Sequence, residues 1–352
     1  MRRHRSPGAR AGLTVAATVW ARLDARYPWI GWLGGWGISI GSLVLGLATL
    51  FVFRRGLPHV GWIVGYLLLL WFTFAVLTEL RAALEQRGRR FVVDASEYVI
   101  QSLYHNLLLF VLPAYYASAT LTSVNVVFLA GVAAGALVTA VDPAYRSLVH
   151  PRAWLQHLLL GFSIFAALNV ALPLVGVRPI LAMEGSAGLA VMSLTPALRR
   201  RGTVSWAGAY TRAAVLAGLA MVLVWYGRAL VPPAPLFLAR TVAARTVTDL
   251  TPVDVIQGSI PAAAVAEWGE LAAYTAVYAP GGLRQAIRHV WWRNGELLSR
   301  IPLAPVQGGR AEGFRTYSIR RSLKPPLEGR YTVDVVTASG QLIGRLRFTV
   351  TP

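Results

Sequence analysis

Seven segments of this sequence are each apolar over about the 20 residues that a helix needs to cross the hydrocarbon core of a bilayer. They lie approximately at 31–53, 59–80, 96–118, 122–141, 154–174, 179–197 and 211–231. The composition agrees, because 55% of the residues are hydrophobic, only 14% are charged and the mean hydropathy is +0.53. This balance is too apolar for an ordinary soluble chain. The sequence therefore predicts an all-α membrane bundle of about seven transmembrane helices over residues 31–231.

The arginines are distributed unevenly between the segments that connect these predicted spans. Sixteen lie on the side of the N-terminus and four lie on the opposite side. Arginine accumulates on the cytoplasmic side of membrane proteins. We therefore expect residues 1–30 to form a basic cytoplasmic segment and the C-terminus to lie outside. The net charge of +19 does not indicate nucleic-acid binding, because the arginines are dispersed and form no single basic block. The predicted partner is the lipid bilayer.

The pattern changes after the last predicted span. Pro232, Pro233 and Pro235 predict a stiff linker over residues 232–244. Residues 245–352 then alternate between apolar and polar positions in short runs, as half-buried antiparallel strands do. The predicted strands are 271–279, 286–293, 296–303, 314–320, 331–337 and 341–350. The second and third flank Asn294-Gly295, a strong signal for a two-residue hairpin. These features predict an extracytoplasmic all-β domain, a sandwich resembling immunoglobulin-like domains.

Several polar residues interrupt the predicted spans. They are Glu97, Gln101, His105, Asn106, Asn169 and Glu184. The first three are spaced four residues apart and so share one face of a helix. Polar groups inside a bilayer need a partner or a function. They could form hydrogen bonds that fix the helices, or they could line a polar pocket in which His105 exchanges protons and Glu184 supplies the counter-charge.

In the β domain, His289, Trp291 and Arg293 alternate onto one face of a predicted strand, with Trp292 and Arg315 nearby in the pattern. Tryptophan stacks on flat ligands and arginine binds carboxylates with both arms. These residues could form a platform for a glycan, an anionic lipid or a peptide of an envelope protein. The alternative is that one of the two tryptophans belongs to the core of the sandwich.

The residue types that most enzymes use for metal or covalent chemistry are scarce. The chain has no cysteine, and its six histidines lack the paired spacing of a zinc site. We therefore predict no cofactor, no metal ligands and no catalytic residues.

The C-terminal part resembles a bacterial family known as domain of unknown function 2914. The residues that carry the resemblance are Ile287-Arg288-His289-Val290-Trp291, Asn294-Gly295, Gly308-Gly309-Arg310, Gly313-Phe314-Arg315-Thr316-Tyr317-Ser318, Gly329-Arg330-Tyr331-Thr332-Val333-Asp334-Val335, and Gly340-Gln341-Leu342-Ile343-Gly344-Arg345 with Phe348. The membrane half looks like the polytopic region that often precedes that domain, through Leu112-Pro113-Ala114-Tyr115-Tyr116-Ala117-Ser118 and Asp142-Pro143-Ala144-Tyr145.

The resemblance implies a bacterial membrane protein with an appended β domain, and it implies no activity. With the arginine distribution, we expect an inner-membrane protein with a cytoplasmic N-terminus and a periplasmic β domain. The predicted function is a membrane-anchored module for interaction or sensing in the envelope. The alternative is a small transporter or membrane-embedded enzyme whose polar site is formed by the third, fifth and sixth predicted spans. The oligomeric state cannot be read from the sequence.

Overall fold

The computed structural model describes residues 65, 67–76, 80, 86, 90–199, 204–321 and 323–352. The predicted span at 31–53, part of the span at 59–80 and the basic segment 1–30 lie outside the described residues. The N-terminal half of the described chain is helical and the C-terminal part consists of strands. The helices of seven residues or more are α1 (Leu67–Val76), α2 (Arg90–Ser118), α3 (Val126–Ala140), α4 (Ala153–Leu174), α5 (Pro179–Met192), α6 (Trp206–Tyr226) and α7 (Ala262–Trp268). Shorter helical segments lie at Asp142–Ala144, Tyr145–Val149 and Thr195–Leu198.

Local sequence accounts for several of the helix ends. Pro179 occupies the first turn of α5, where its missing N–H is not needed. Ser205 caps α6 by accepting a hydrogen bond of 3.2 Å from the N–H of Gly208. Gly269 ends α7 in the left-handed conformation that glycine adopts without strain.

The predicted bundle of about seven transmembrane helices is wrong. Among the described residues, two helices are long and apolar enough to cross a membrane, α4 and α6. A third candidate arises if α3 and the segment Asp142–Val149, which are bent by 98° relative to each other, count as one span. Two of the other predicted segments, 96–118 and 179–197, lack a long uninterrupted apolar helix. Polar residues such as Gln101 and His105 occur along α2, and α5 ends after 14 residues, before Pro196.

The helices α2 to α6 pack into one unit with a continuous apolar core. α2 packs against α3 and α4, while α5 packs against both α4 and α6. The most deeply buried side chains include Leu107, Leu108, Leu160 and Met183. The fully buried residues of α6 are all small, namely Ala209, Ala213 and Ala217. Val224 packs against the core of the unit, but many of the larger apolar side chains of α6 are exposed.

The C-terminal region is β-rich, in agreement with the predicted β domain. Its strands are β1 (Phe237–Thr248), β2 (Thr251–Ile256), β3 (Ser259–Pro261), β4 (Glu270–Tyr278), β5 (Arg284–Gln285), β6 (Ile287–Arg293), β7 (Glu296–Pro302), β8 (Val306–Gln307), β9 (Phe314–Arg321), β10 (Gly329–Thr337) and β11 (Leu342–Thr351). One sheet has the order β2-β1-β4-β9 and the second has the order β3-β11-β10-β6-β7. Their inner faces share a core that contains Leu271 from the first sheet and Trp291, Val333 and Phe348 from the second. The two sheets therefore form a sandwich.

The hairpin turn at Asn294-Gly295 has the predicted geometry. Both residues have positive φ, 50° and 88°, and Arg293 faces Glu296 across the hairpin. Two residues with positive φ match the right-handed twist of the flanking strands. The start of the domain differs from the expectation, because β1 begins at Phe237, inside the segment 232–244 that we interpreted as a linker. β1 pairs with β4 along most of its length, so this segment is part of the sheet.

Candidate functional site

The polar face of α2 points at α3 and at the turn that follows it. The side chain of Gln101 donates to the carbonyl of Thr139 at 3.0 Å and to Oδ1 of Asp142 at 2.6 Å. One turn further along, Nδ1 of His105 lies 3.1 Å from the carbonyl oxygen of Ala136. All of these contacts are buried. The predicted helical stripe thus makes interhelical hydrogen bonds.

A cavity of about 390 Å³ opens beside the first turns of this stripe. Oε2 of Glu97 lies 2.6 Å from Nε2 of His150 at its edge. Gln101, Tyr145 and Arg146 also line it. The cavity therefore offers an acid, an amide, a phenol and a cation. Among the described residues, no group of three or more histidines and carboxylates could hold a metal ion.

The other predicted polar residues do not join this cluster. Asn169 donates to the hydroxyl of Tyr115 at 3.1 Å, and that hydroxyl donates to the carbonyl of Ala166 at 2.8 Å. Glu184 on α5 and Asn106 on α2 are half-buried, and neither lines the cavity beside Glu97. The single pocket that the transporter hypothesis requires is therefore not assembled from the described residues.

In the sandwich, His289 and Trp291 are buried completely, with 0% exposure. The two imidazole nitrogens lie 3.0 Å from Thr275 Oγ1 and 2.8 Å from Ser318 Oγ, both on the first sheet. Trp291 Nε1 donates to the same Ser318 hydroxyl at 3.0 Å. Burial lowers the pKa of His289 from 6.5 to about 3, so the ring is neutral at physiological pH. These two residues bind the sheets together and cannot form a surface platform.

The remaining members of the predicted platform are separated. Arg293 donates to the backbone carbonyls of Lys324 and Pro326. Arg315 lies on the first sheet, where its guanidinium faces Glu312 at 3.6 Å. Trp292 is half-buried on the opposite face of β6 from Trp291. Strand alternation placed His289, Trp291 and Arg293 on one face, but it did not show that this face is the interior.

A contact that the sequence did not predict joins the sandwich to the helical unit. The turn between β10 and β11 reaches the helices, where Gln341 is 1% exposed and donates to the carbonyl of Val231 at 3.3 Å. Nε of Arg228, just after α6, donates to the carbonyl of Ser339 at 2.8 Å. Residues 231–236 between the two parts are all buried.

Arg345 makes a second connection on the outer face of β11. It binds both carboxylate oxygens of Asp334, at 2.5 and 3.0 Å, and donates to the carbonyl of Thr122 in the loop before α3. Hydrogen bonding to Asp334 raises the pKa of Arg345. A polar residue beside a turn is usually exposed, so nothing in the local pattern identified Gln341 or Arg345 as contact residues.

The fold and these contacts define a class of protein in which an apolar helical unit carries a firmly packed β-sandwich. Residues 14–269 match the model of a family of unknown function, DUF5924. The match covers well over half of the chain, which therefore belongs to this family. Residues 284–350 match the model for a protein of unknown function, DUF2914, which confirms the resemblance for the C-terminal part. No curated protein matches the chain.

The boundary between the two matches does not fall where the helices meet the sandwich. The first match ends at 269 and so includes β1, β2, β3 and α7, whereas the second begins at 284, with β5. The sandwich is thus completed by strands from the region that the first family model covers. β1 pairs with β4, and β3 pairs with β11.

Proposed function

We propose that this chain is a membrane-anchored interaction or sensing module whose helical unit holds the β-sandwich in a fixed position in the bacterial envelope. The observation that carries the proposal is the packed contact at Gln341, Ser339 and Arg345. A domain on a free linker would leave these groups in water. Here they form hydrogen bonds with the helical unit. A structural change caused by a ligand on the sandwich can therefore be transmitted to the helices through this contact.

The apolar helices support the membrane anchor. α6 is long enough to span a bilayer, and its exposed side chains include Leu216, Leu219, Val222 and Leu223. A soluble protein rarely leaves such a row of large apolar residues in water. Lipid is the partner that satisfies it, because the backbone polar groups of α6 are already paired within the helix.

The positions of the arginines support the proposed orientation. Arg146, Arg152 and Arg199 lie at the end of the helical unit where α3 and α5 finish and α4 begins. The sandwich contacts the opposite end, at Thr122 before α3 and Val231 after α6. If the arginine-rich end lies in the cytoplasm, the sandwich lies on the periplasmic side of the inner membrane. Its partner there is an envelope protein, a glycan or an anionic lipid.

The absence of native cysteine allows a direct test of anchoring and orientation. Ser147→Cys and Ser259→Cys are matched conservative changes at exposed positions on the helical unit and the sandwich. We expect an impermeant maleimide to label Ser259→Cys in cells whose outer membrane alone is opened. Ser147→Cys should be labelled only after the inner membrane is disrupted. Recovery of the chain in the soluble fraction, or the reverse labelling pattern, would contradict the proposal.

A further inference from the structure

The end of the sandwich that is farthest from the helical unit carries a polar groove of about 730 Å³. It lies beside the Asn294-Gly295 turn, where β10 begins and β11 ends. The helical unit contacts the other end of the same two strands, at Ser339 and Gln341. The groove is therefore exposed to whatever surrounds the sandwich, away from the membrane that would hold α6.

Strand register directs four polar side chains into this groove. Arg330 faces Thr349 and Thr332 faces Arg347 on the adjacent strands β10 and β11. Between them, Tyr331 and Phe348 point inward and stack with ring centroids 5.1 Å apart. Successive side chains of a strand alternate between its faces, so the burial of this aromatic pair fixes the two arginines and two threonines on the outer face.

Some arginines of the sandwich have an acidic partner, and others, including these two, have none among the described residues. Arg245, Arg315, Arg321 and Arg345 each lie within 4.0 Å of a carboxylate. Within the described ranges, no such ion pair involves Arg330 or Arg347, and both residues are exposed. Two guanidinium groups on diagonal positions of neighbouring strands repel each other unless an anion lies between them.

Asn294 holds the backbone beneath Arg330 in place. Its side-chain oxygen accepts a hydrogen bond of 2.8 Å from the backbone N–H of Arg330. The backbone N–H of Asn294 donates to the carbonyl of Arg330 at 2.9 Å. Gly329 makes room for this contact, because a Cβ atom there would lie 2.6 Å from Nδ2 of Asn294. The groove therefore has a defined floor and does not depend on mobile side chains alone.

We propose that this groove is a binding site for an anionic ligand bearing a carboxylate or phosphate group. Arg330 and Arg347 would bind the oxyanion with charge-assisted hydrogen bonds, and the hydroxyls of Thr332 and Thr349 would donate further ones to it. The volume exceeds that of one oxyanion and falls in the range of small-molecule sites, so the ligand has a body beyond its charge. This inference rests on the proposed role of the sandwich as the interacting part, and it names the class of ligand.

The test uses the full chain in detergent, with pyrophosphate and glutarate as probes in isothermal titration calorimetry. We expect saturable binding of at least one probe. Binding of pyrophosphate alone identifies phosphate as the recognised group, and binding of glutarate alone identifies carboxylate. Arg330→Gln and Arg347→Gln should each weaken binding about tenfold or more, the loss that follows from one charge-assisted hydrogen bond.

Arg315→Gln is the matched control, because Arg315 is an exposed strand arginine outside the groove. The affinity of the Arg315→Gln variant for the probe should equal that of the wild type. Asn294→Gly retains the positive φ of the turn but removes the clamp on Arg330, so it should weaken binding with no change in charge. Lack of saturable binding of either probe, or an equal loss in Arg315→Gln, would overturn the proposal. Neither outcome would alter the labelling pattern at Ser147 and Ser259, which tests the anchor alone.

Discussion

The helical unit and the sandwich each bury a histidine, but they satisfy it in different ways. His105 is 1% exposed and contacts a backbone carbonyl of the neighbouring helix, that of Ala136. His289 is 0% exposed and lies between the hydroxyls of Thr275 and Ser318 from the facing sheet. A helix carbonyl retains a second lone pair for a neighbour, whereas facing sheets are separated by about 10 Å and meet only through side chains. The buried histidine of the sandwich therefore requires particular side chains on the facing sheet. The buried histidine of the helical unit requires only that its donor lie opposite a backbone carbonyl of the neighbouring helix.

The two adjacent tryptophans of β6 give the largest expected effect in this comparison. Trp291→Ala removes a completely buried ring from the shared core and its hydrogen bond to Ser318. We expect it to lower the free energy of unfolding by about 3–5 kcal/mol. Trp292→Ala, at a half-buried position on the outer face, is the control and should cost clearly less. Chemical denaturation of both variants measures the difference, and equal losses would show that the inner face of β6 has been assigned wrongly.

Acid should weaken the sandwich through His289. Burial lowers its pKa from 6.5 to about 3, so between these values the unfolded chain binds a proton that the folded chain does not. Stability is then complete above pH 6.5 and falls as the pH decreases toward 3. At 1.36 kcal/mol per pKa unit, the loss between pH 7.5 and 5 is about 2 kcal/mol.

The control for this pH dependence is His289→Asn, which cannot be protonated. Its stability should depend less steeply on pH than that of the wild type over the same interval. Arg321 lowers the pKa of Glu270 below 4.5, so that carboxylate contributes only at lower pH. Parallel unfolding free energies of the two proteins from pH 7.5 to 5 would show that His289 is protonated in the folded state.

The sequence predicted the C-terminal strands well and the helical region poorly, for a physical reason. Strand alternation and the Asn294-Gly295 turn are local signals, and they placed β6, β7 and β9 within one or two residues. Average hydropathy does not show where a helix breaks, so the pattern at 179–197 concealed the end of α5 at Met192. The partners of a buried polar group come from distant parts of the chain. Gln101 was thus identified as a candidate, but its contact with Asp142 was not.

In the helical unit, the hydrogen bond of His105 should tolerate an amide. His105→Gln can still donate to the carbonyl of Ala136, whereas His105→Leu cannot. We expect the leucine variant to be less stable than the glutamine variant by about 1–2 kcal/mol, the range for hydrogen bonds between helices in membranes. Thermal unfolding in detergent measures this difference, with Asn106→Leu at the adjacent half-buried position as the control. If the leucine variant equals the wild type, the contact between α2 and α3 contributes nothing to stability.

Loss of the contact between the two regions should lower stability the least. Its hydrogen bonds are replaced by hydrogen bonds to water when the protein unfolds. Gln341 is buried against the helical unit, where Nε2 lies 3.3 Å from the carbonyl of Val231 and 3.7 Å from Sδ of Met183. Gln341→Leu keeps the volume but removes the donor, at an expected cost of about 1 kcal/mol. For a chain of this size the midpoint of thermal unfolding should fall by about 2 °C. Gln257→Leu alters an exposed glutamine of the same sandwich and should leave the midpoint unchanged. Equal midpoints for both variants in calorimetry of the full chain would mean that the Gln341 contact does not stabilise the position of the sandwich. The proposed transmission from a bound ligand to the helices would then be contradicted.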